Sequence, residues 1–214
     1  MRMRKKAWAK PYLEDRIDVI VVDASVNKGN WKSIVFGEKL HLEIGSGKGD
    51  YWVKMAANYP NDSWIGVEKS SDAAAVAVKK CGSNPTNMRF INDDAQYVCD
   101  WFGENEVDVI HLNFSDPWPK KGHAKRRLTA TSFLQQYYRI LADDGMVIMK
   151  TDNSKLFEYS LLMFAEGLWQ LKEVSVDYRR EVHDEDVITE YEANFMEQGQ
   201  PIYRGIWQKM EVTK

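Results

Sequence analysis

The sequence predicts an α/β fold in which a mostly parallel sheet is covered by helices on both faces, and three observations carry that prediction. Strand-like and helix-like hydrophobic patterns alternate from about residue 39 to 168. The first strand runs into glycine at every other position, in the stretch KLHLEIGSGKG at 39–49. An acid, Glu68, ends the second strand in WIGVE, 21 residues beyond Gly47 and close to the ~20 usual for a nucleotide-binding unit.

Taken in order, the strands are expected near 39–45, 63–68, 88–92, 107–114 and 145–151. Helices are expected near 50–59, 71–82, 94–102, 129–142 and 154–168. LKEVSVDY (171–178) and IYRGIWQKMEV (202–212) read as two further strands joined by a polar, partly helical excursion. Residues 1–30, ending near KGNW, read as an arm on a core that spans 31–214. The length suits one domain with a substantial core, and no low-complexity segment or repeat interrupts it.

The glycine turn is the organising feature. Glycine permits positive φ and lets a ligand approach the backbone, while the helix expected from Asp50 presents unpaired N–H groups to it. Spacing separates the candidate ligands. A Walker A loop would need glycine at Leu42 and Ser or Thr at Gly49, so that reading fails. The dinucleotide pattern G-x-G-x-x-G would need glycine at Asp50, which weakens a nicotinamide reading. What stands is E-x-G-x-G-x-G, Glu43 through Gly45, Gly47 and Gly49, which resembles the first motif of class I S-adenosylmethionine-dependent methyltransferases. That resemblance implies a Rossmann-like, seven-stranded, mostly parallel sheet whose last two strands form an antiparallel hairpin.

Composition is that of a water-soluble globular chain: 44% hydrophobic, 12% aromatic and 29% charged residues, with no apolar run of membrane-spanning length. The start, MRMRKKAWAK, lacks the apolar stretch of a secretion signal, so a cytoplasmic location is expected. Cys81 and Cys99, with His41, His111, His123 and His183, show no metal-ligand spacing; buried free thiols and no metal are expected. Net charge is −3, yet residues 1–10 and 120–127 hold ten of the 29 positive charges and no acid. The rest of the chain carries 19 positive against 32 negative charges, so a polyanion would find a defined basic track.

Ligands of such sheets lie beyond the carboxyl ends of the strands, which directs attention to the loops there. After the third strand, NDDA (92–95) offers Asp94 as an acceptor for an adenine amino group, with Asp93 as competitor and a helix N-cap as the alternative. After the fourth comes NFSDPWPKKGHAKRR (113–127), where two prolines flank Trp118 and Asp116 stands immediately ahead of five cations.

Together, EIGSGKG, GVE, SDPWPKKGHAKRR, KTDN (150–153) and TEYE (189–192) closely resemble the bacterial tRNA (guanine-N7)-methyltransferase family, in motif order through nearly the whole chain. The resemblance implies methyl transfer from S-adenosylmethionine to N7 of a guanine in the variable loop of tRNA, by a monomer or homodimer. It implies that Glu43, Gly45, Gly47, Gly49, Glu68, Asp94 and Asp116 line the cofactor site, with Asp116 catalytic. Lys120, Asp152, Thr189, Glu190, Tyr191 and Glu192 would contact the substrate; Gly122, His123, Ala124, Lys125, Arg126 and Arg127 would touch RNA. Rival readings are another S-adenosylmethionine-dependent RNA methyltransferase, a nicotinamide-dependent oxidoreductase and a non-enzymatic RNA-binding protein. The last two fail to explain, respectively, the basic loop after the fourth strand and the acids around the glycine turn.

Overall fold

Why the glycine-turn segment folds as it does is visible in the burial of its strands. In the computed structural model, which describes residues 5–83 and 85–210, β1 (Leu40–Ile44), β2 (Ser63–Val67) and β3 (Met88–Ile91) pair in parallel in the order β3-β2-β1. All five residues of β2 are buried, as a strand covered on both faces requires. Helices α3 (Asp50–Asn58) and α4 (Ser71–Lys80) follow β1 and β2 at the predicted places. The helix expected at 94–102 is a 3-10 turn, Ala95–Tyr97, running into a single α-helical turn, α5 (Val98–Trp101). The Asp94 side chain sets the start of that turn by accepting the Gln96 N–H.

Two short helices precede β1: α1 (Ala9–Asp15) and α2 (Trp31–Ile34). Helix α1 packs against α4, with Ala9 and Leu13 buried, and Arg16 fastens its end. The Arg16 guanidinium donates to Val78 O at 3.1 Å and Gly82 O at 2.5 Å and pairs with Asp18. Val21 N–H donates to Phe90 O beside β3, and the fully buried Trp31 donates its indole N–H to Trp101 O at 2.8 Å. Most of the segment read as an arm is thus packed on this first unit, which ends at Gly103. Of the N-terminal basic cluster, Arg2 and Arg4 lie outside the described residues.

The second unit, from Glu104, carries β4 (Val107–Asn113), β5 (Leu141–Thr151), β6 (Trp169–Ser175) and β7 (Tyr203–Lys209) in the order β4-β5-β7-β6. β4 and β5 are parallel; β7 runs antiparallel to both β5 and β6, so the antiparallel C-terminal pair is present. The fold is therefore the predicted seven-stranded, mostly parallel one. β5 starts at Leu141, before the expected 145, because a register shift between Val107 and Val109 absorbs the Asp143-Asp144-Gly145 stretch. Helices α6 (Thr131–Ile140) and α7 (Ser154–Ala165) connect these strands, and the excursion between β6 and β7 holds a 3-10 turn, Tyr178–Arg180, and helix α8 (Glu190–Glu197). No helix among the described residues is long and apolar enough to cross a membrane. Cys81 and Cys99 are free thiols, half-buried instead of buried, since both lie at the ends or edges of short helices.

Candidate active site

In the first unit, β1 delivers Glu43, 2% exposed, one residue before the strand ends. The chain then turns through Gly45, Gly47 and Gly49 at φ of +81°, +53° and +76°, conformations in which an L side chain is strained. Two backbone bonds tie the turn to the end of β2: Gly45 N–H and Ser46 N–H both donate to Val67 O, at 2.8 and 2.9 Å. The Glu68 carboxylate completes the tie, accepting Gly47 N–H at 3.1 Å and Ser70 N–H at 2.7 Å. A Cβ added at Gly47 would meet nothing nearer than Gly45 O at 4.0 Å, so the space over the turn is open. At Gly49 it would lie 2.6 Å from Ala77 Cβ, because α4 packs directly against the turn. Open backbone above and a rim acid held by two amides are what an adenosine ribose requires, so these residues fit an adenosine-bearing cofactor.

Asp94 is oriented to the same loop system through Lys69, with which it forms an ion pair one residue after Glu68. Burial pushes its carboxyl up, but the Lys69 and Gln96 hydrogen bonds outweigh this and hold it below the usual carboxylate range. Asp93 is exposed and accepts from the adjacent Asp94 N–H in the same turn, at 2.7 Å. The N-cap role weighed for Asp94 is one that its carboxylate performs.

In the second unit, the chain leaves β4 through Phe114 and Trp118, two non-glycine residues at φ of +51° and +41°. Arg127 holds this loop in place: its guanidinium donates to Pro117 O at 2.9 Å and Trp118 O at 3.1 Å and lies 4.2 Å from the Tyr159 ring centre. Lys120, Lys121, Gly122, Lys125 and Arg126 are exposed on the 3-10 turn Lys121–Arg126, with His123 and Ala124 half-buried and Arg126 stacked 5.0 Å from the Trp118 ring. The resemblance assigned Lys125, Arg126 and Arg127 alike to RNA; the structure separates Arg127, a brace, from the other two.

The braced loop presents Asp116 to solvent. Half-buried Asp152 follows β5, and burial pushes its carboxyl up. Tyr191, 50% exposed, has its phenol pushed up by partial burial and then by the negative charges of Asp152 and Asp116, which places the three side chains in one electrostatic neighbourhood. Phe114 packs 5.2 Å from the Tyr191 ring and Phe195 4.9 Å from it, fixing the ring from two sides. Two carboxylates beside a half-exposed aromatic face can seat a planar, hydrogen-bonding base.

The four residues of TEYE do not share one fate. Thr189 caps α8, its hydroxyl accepting the Glu192 N–H at 3.0 Å, in a full capping box. Glu192 is 0% exposed and receives Lys150 at 3.2 Å and Arg179 at 2.6 Å, while Asp186 receives the same two cations at 2.6 Å each. Glu190 and Tyr191 face outward. Sequence reading missed Arg179, Asp186 and Lys150; the available signals were the capping-box spacing T-x-x-E and a lysine inside the apolar run VIMK of β5.

Residues 37–205 match a family model described as "Putative methyltransferase". A tRNA (guanine-N(7)-)-methyltransferase from Oceanobacillus iheyensis is 43% identical over 206 residues, covering 95% of this chain and 97% of the relative. The chain belongs to this family. The Bacillus subtilis tRNA (guanine-N(7)-)-methyltransferase is 42% identical over 207 residues, again covering 95% and 97%. Among solved structures, an antibiotic-related methyltransferase superposes with a TM-score of 0.65 at 14% identity, covering 90% of this chain and 98% of that one. A 30S ribosomal A1408 methyltransferase from an uncultured bacterium gives 0.59 at 16% identity, covering 89% and 95%. At these identities the structures establish the class I methyltransferase fold and nothing finer. The region that the family model matches, residues 37–205, contains every site residue named above, from Glu43 to Glu192.

Proposed function

We propose that this chain transfers a methyl group from S-adenosylmethionine to N7 of a guanine in tRNA. The observation that carries the reading is the family match through nearly the full length, with the glycine turn, Glu68, Asp116 and Asp152 all present within it. When bound, S-adenosylmethionine supplies the activated methyl group. Glu68, which accepts the Gly47 N–H in this structure, would hold its ribose hydroxyls. Glu43 and the turn glycines line the rest of that pocket, and Asp94 takes the adenine amino group.

N7 of guanine has an in-plane lone pair and sheds no proton before attack, so the protein's task is alignment, not base catalysis. Alignment of reacting groups supplies roughly 7–11 kcal/mol in favourable cases. The purine becomes cationic as the methyl arrives, and the exposed carboxylate of Asp116 offsets that charge. Tyr191 supports the base drawn out of the folded RNA, Asp152 accepts from its edge, and Lys120 with Glu190 flanks it. Exposed Lys121, Lys125 and Arg126 bind phosphates.

Incubating the protein with labelled S-adenosylmethionine and unmodified tRNA, then locating the modified base, tests the reading; label at any atom other than guanine N7 overturns it. Thermal shift with S-adenosylhomocysteine against NAD separates the oxidoreductase rival, since stabilisation by NAD alone favours that class. Glu68→Ala is expected to weaken S-adenosylmethionine binding by about 1.5–3 kcal/mol, the worth of charge-assisted hydrogen bonds, with tRNA affinity unchanged in the same calorimetric series. Neutralising Lys121, Lys125 and Arg126 together is expected to weaken all tRNAs alike and flatten the slope of log affinity against log salt. Arg127→Ala acts differently: by freeing Pro117 O and Trp118 O it loosens the Asp116 loop, so turnover falls as well as affinity.

A further inference from the structure

We propose that Arg179, Lys150 and Asp186 are positioning residues for methyl transfer, and that Thr189 and Glu192 work with them by holding Tyr191 instead of touching RNA. This rests on the function proposed above. Lys150, Glu192, Asp186 and Arg179 form a closed square in which each cation bridges both carboxylates, over distances of 2.6–3.2 Å. The square joins four stretches of chain: the end of β5 two residues before Asp152, the 3-10 turn after β6, the loop that holds Asp186, and the start of α8 one residue after Tyr191. Arg179 also donates to Asp186 O and Val187 O, at 3.2 and 3.1 Å, and so fixes the backbone leading to Thr189.

Stability is a poor reason for four buried charges. Desolvating them consumes much of what their attraction returns, and apolar replacements of similar size are often neutral or stabilising. Directionality is a better reason: planar guanidinium and carboxylate groups define angles as well as distances. What they define here is the register of α8, with Glu192 turned inward and fully buried and Tyr191 turned outward to Asp152 and Asp116. A buried Glu192 already holding two cations and closing the capping box is unable to reach a nucleotide.

The test is a double-mutant cycle read in single-turnover methyl transfer at saturating S-adenosylmethionine and tRNA. Arg179→Lys keeps the charge but loses the fork that reaches two carboxylates. It is expected to slow transfer at least ten-fold while S-adenosylhomocysteine affinity stays at the wild-type value. In a Tyr191→Ala background the same change is expected to add less than two-fold, because its effect passes through that ring. Multiplicative effects in the double variant overturn the proposal. A second variant guards against a folding defect: Lys150→Met, Arg179→Met, Asp186→Leu and Glu192→Leu combined. It is expected to melt no lower than wild type yet transfer methyl at least ten-fold more slowly; transfer at the wild-type rate overturns the proposal. Wild-type protein that methylates no guanine in the same assay refutes the parent reading, a result distinct from either.

Discussion

Asp116→Ala slows single-turnover methyl transfer by on the order of 10²-fold or more, the scale seen when one preorganised electrostatic group is removed from a transition state. Asp116→Asn slows it too, because the amide keeps the shape of the carboxylate but cannot offset positive charge on the purine. Both variants fold normally, since the Asp116 side chain is exposed and the loop is held from below by Arg127. Both are expected to keep wild-type tRNA affinity, because in the proposed reading that affinity comes mainly from phosphate contacts on the basic turn. The measurement is the burst rate at saturating S-adenosylmethionine and tRNA. An Asn variant as fast as wild type beside a slow Ala variant would reassign Asp116 to positioning.

Gly49→Ala is expected to lower the melting temperature sharply and to weaken cofactor binding with it. The left-handed conformation at φ +76° costs an L-residue roughly 1–2 kcal/mol, and a Cβ pressed to 2.6 Å from Ala77 Cβ and 2.8 Å from Ala77 Cα adds roughly 1–3 kcal/mol of overpacking. For a chain of this length each kcal/mol moves the melting temperature by about 2–4 °C. Gly47→Ala makes the informative contrast, because its Cβ meets only Gly45 O at 4.0 Å. It carries the backbone strain without the clash with α4, so its melting temperature falls less while the new methyl group projects into the open space proposed for the cofactor. Thermal scans with and without S-adenosylhomocysteine separate the two. Equal melting temperatures for the two variants would show that the turn yields where its packing on α4 says it cannot.

The sequence by itself determined most of the fold and singled out the loops to which the proposed function assigns the chemistry. Apolar patterns specify β1 to β5 and the helices α3, α4, α6 and α7 because local periodicity and burial agree there, and three glycines at alternate positions specify a turn that positive φ satisfies. Tertiary structure alone decided which members of a motif turn into the protein and which stay exposed. TEYE reads as four equivalent polar residues, yet Thr189 and Glu192 turn into the protein because partners for them, Lys150 and Arg179, arrive from β5 and from the turn after β6. KGHAKRR reads as a uniform basic run, yet Arg127 is spent on the carbonyls of Pro117 and Trp118 while Lys125 and Arg126 stay exposed. In both cases the deciding contact is between residues far apart in the chain or turned back on it, and a one-dimensional pattern records residue types without recording which buried charge finds a partner.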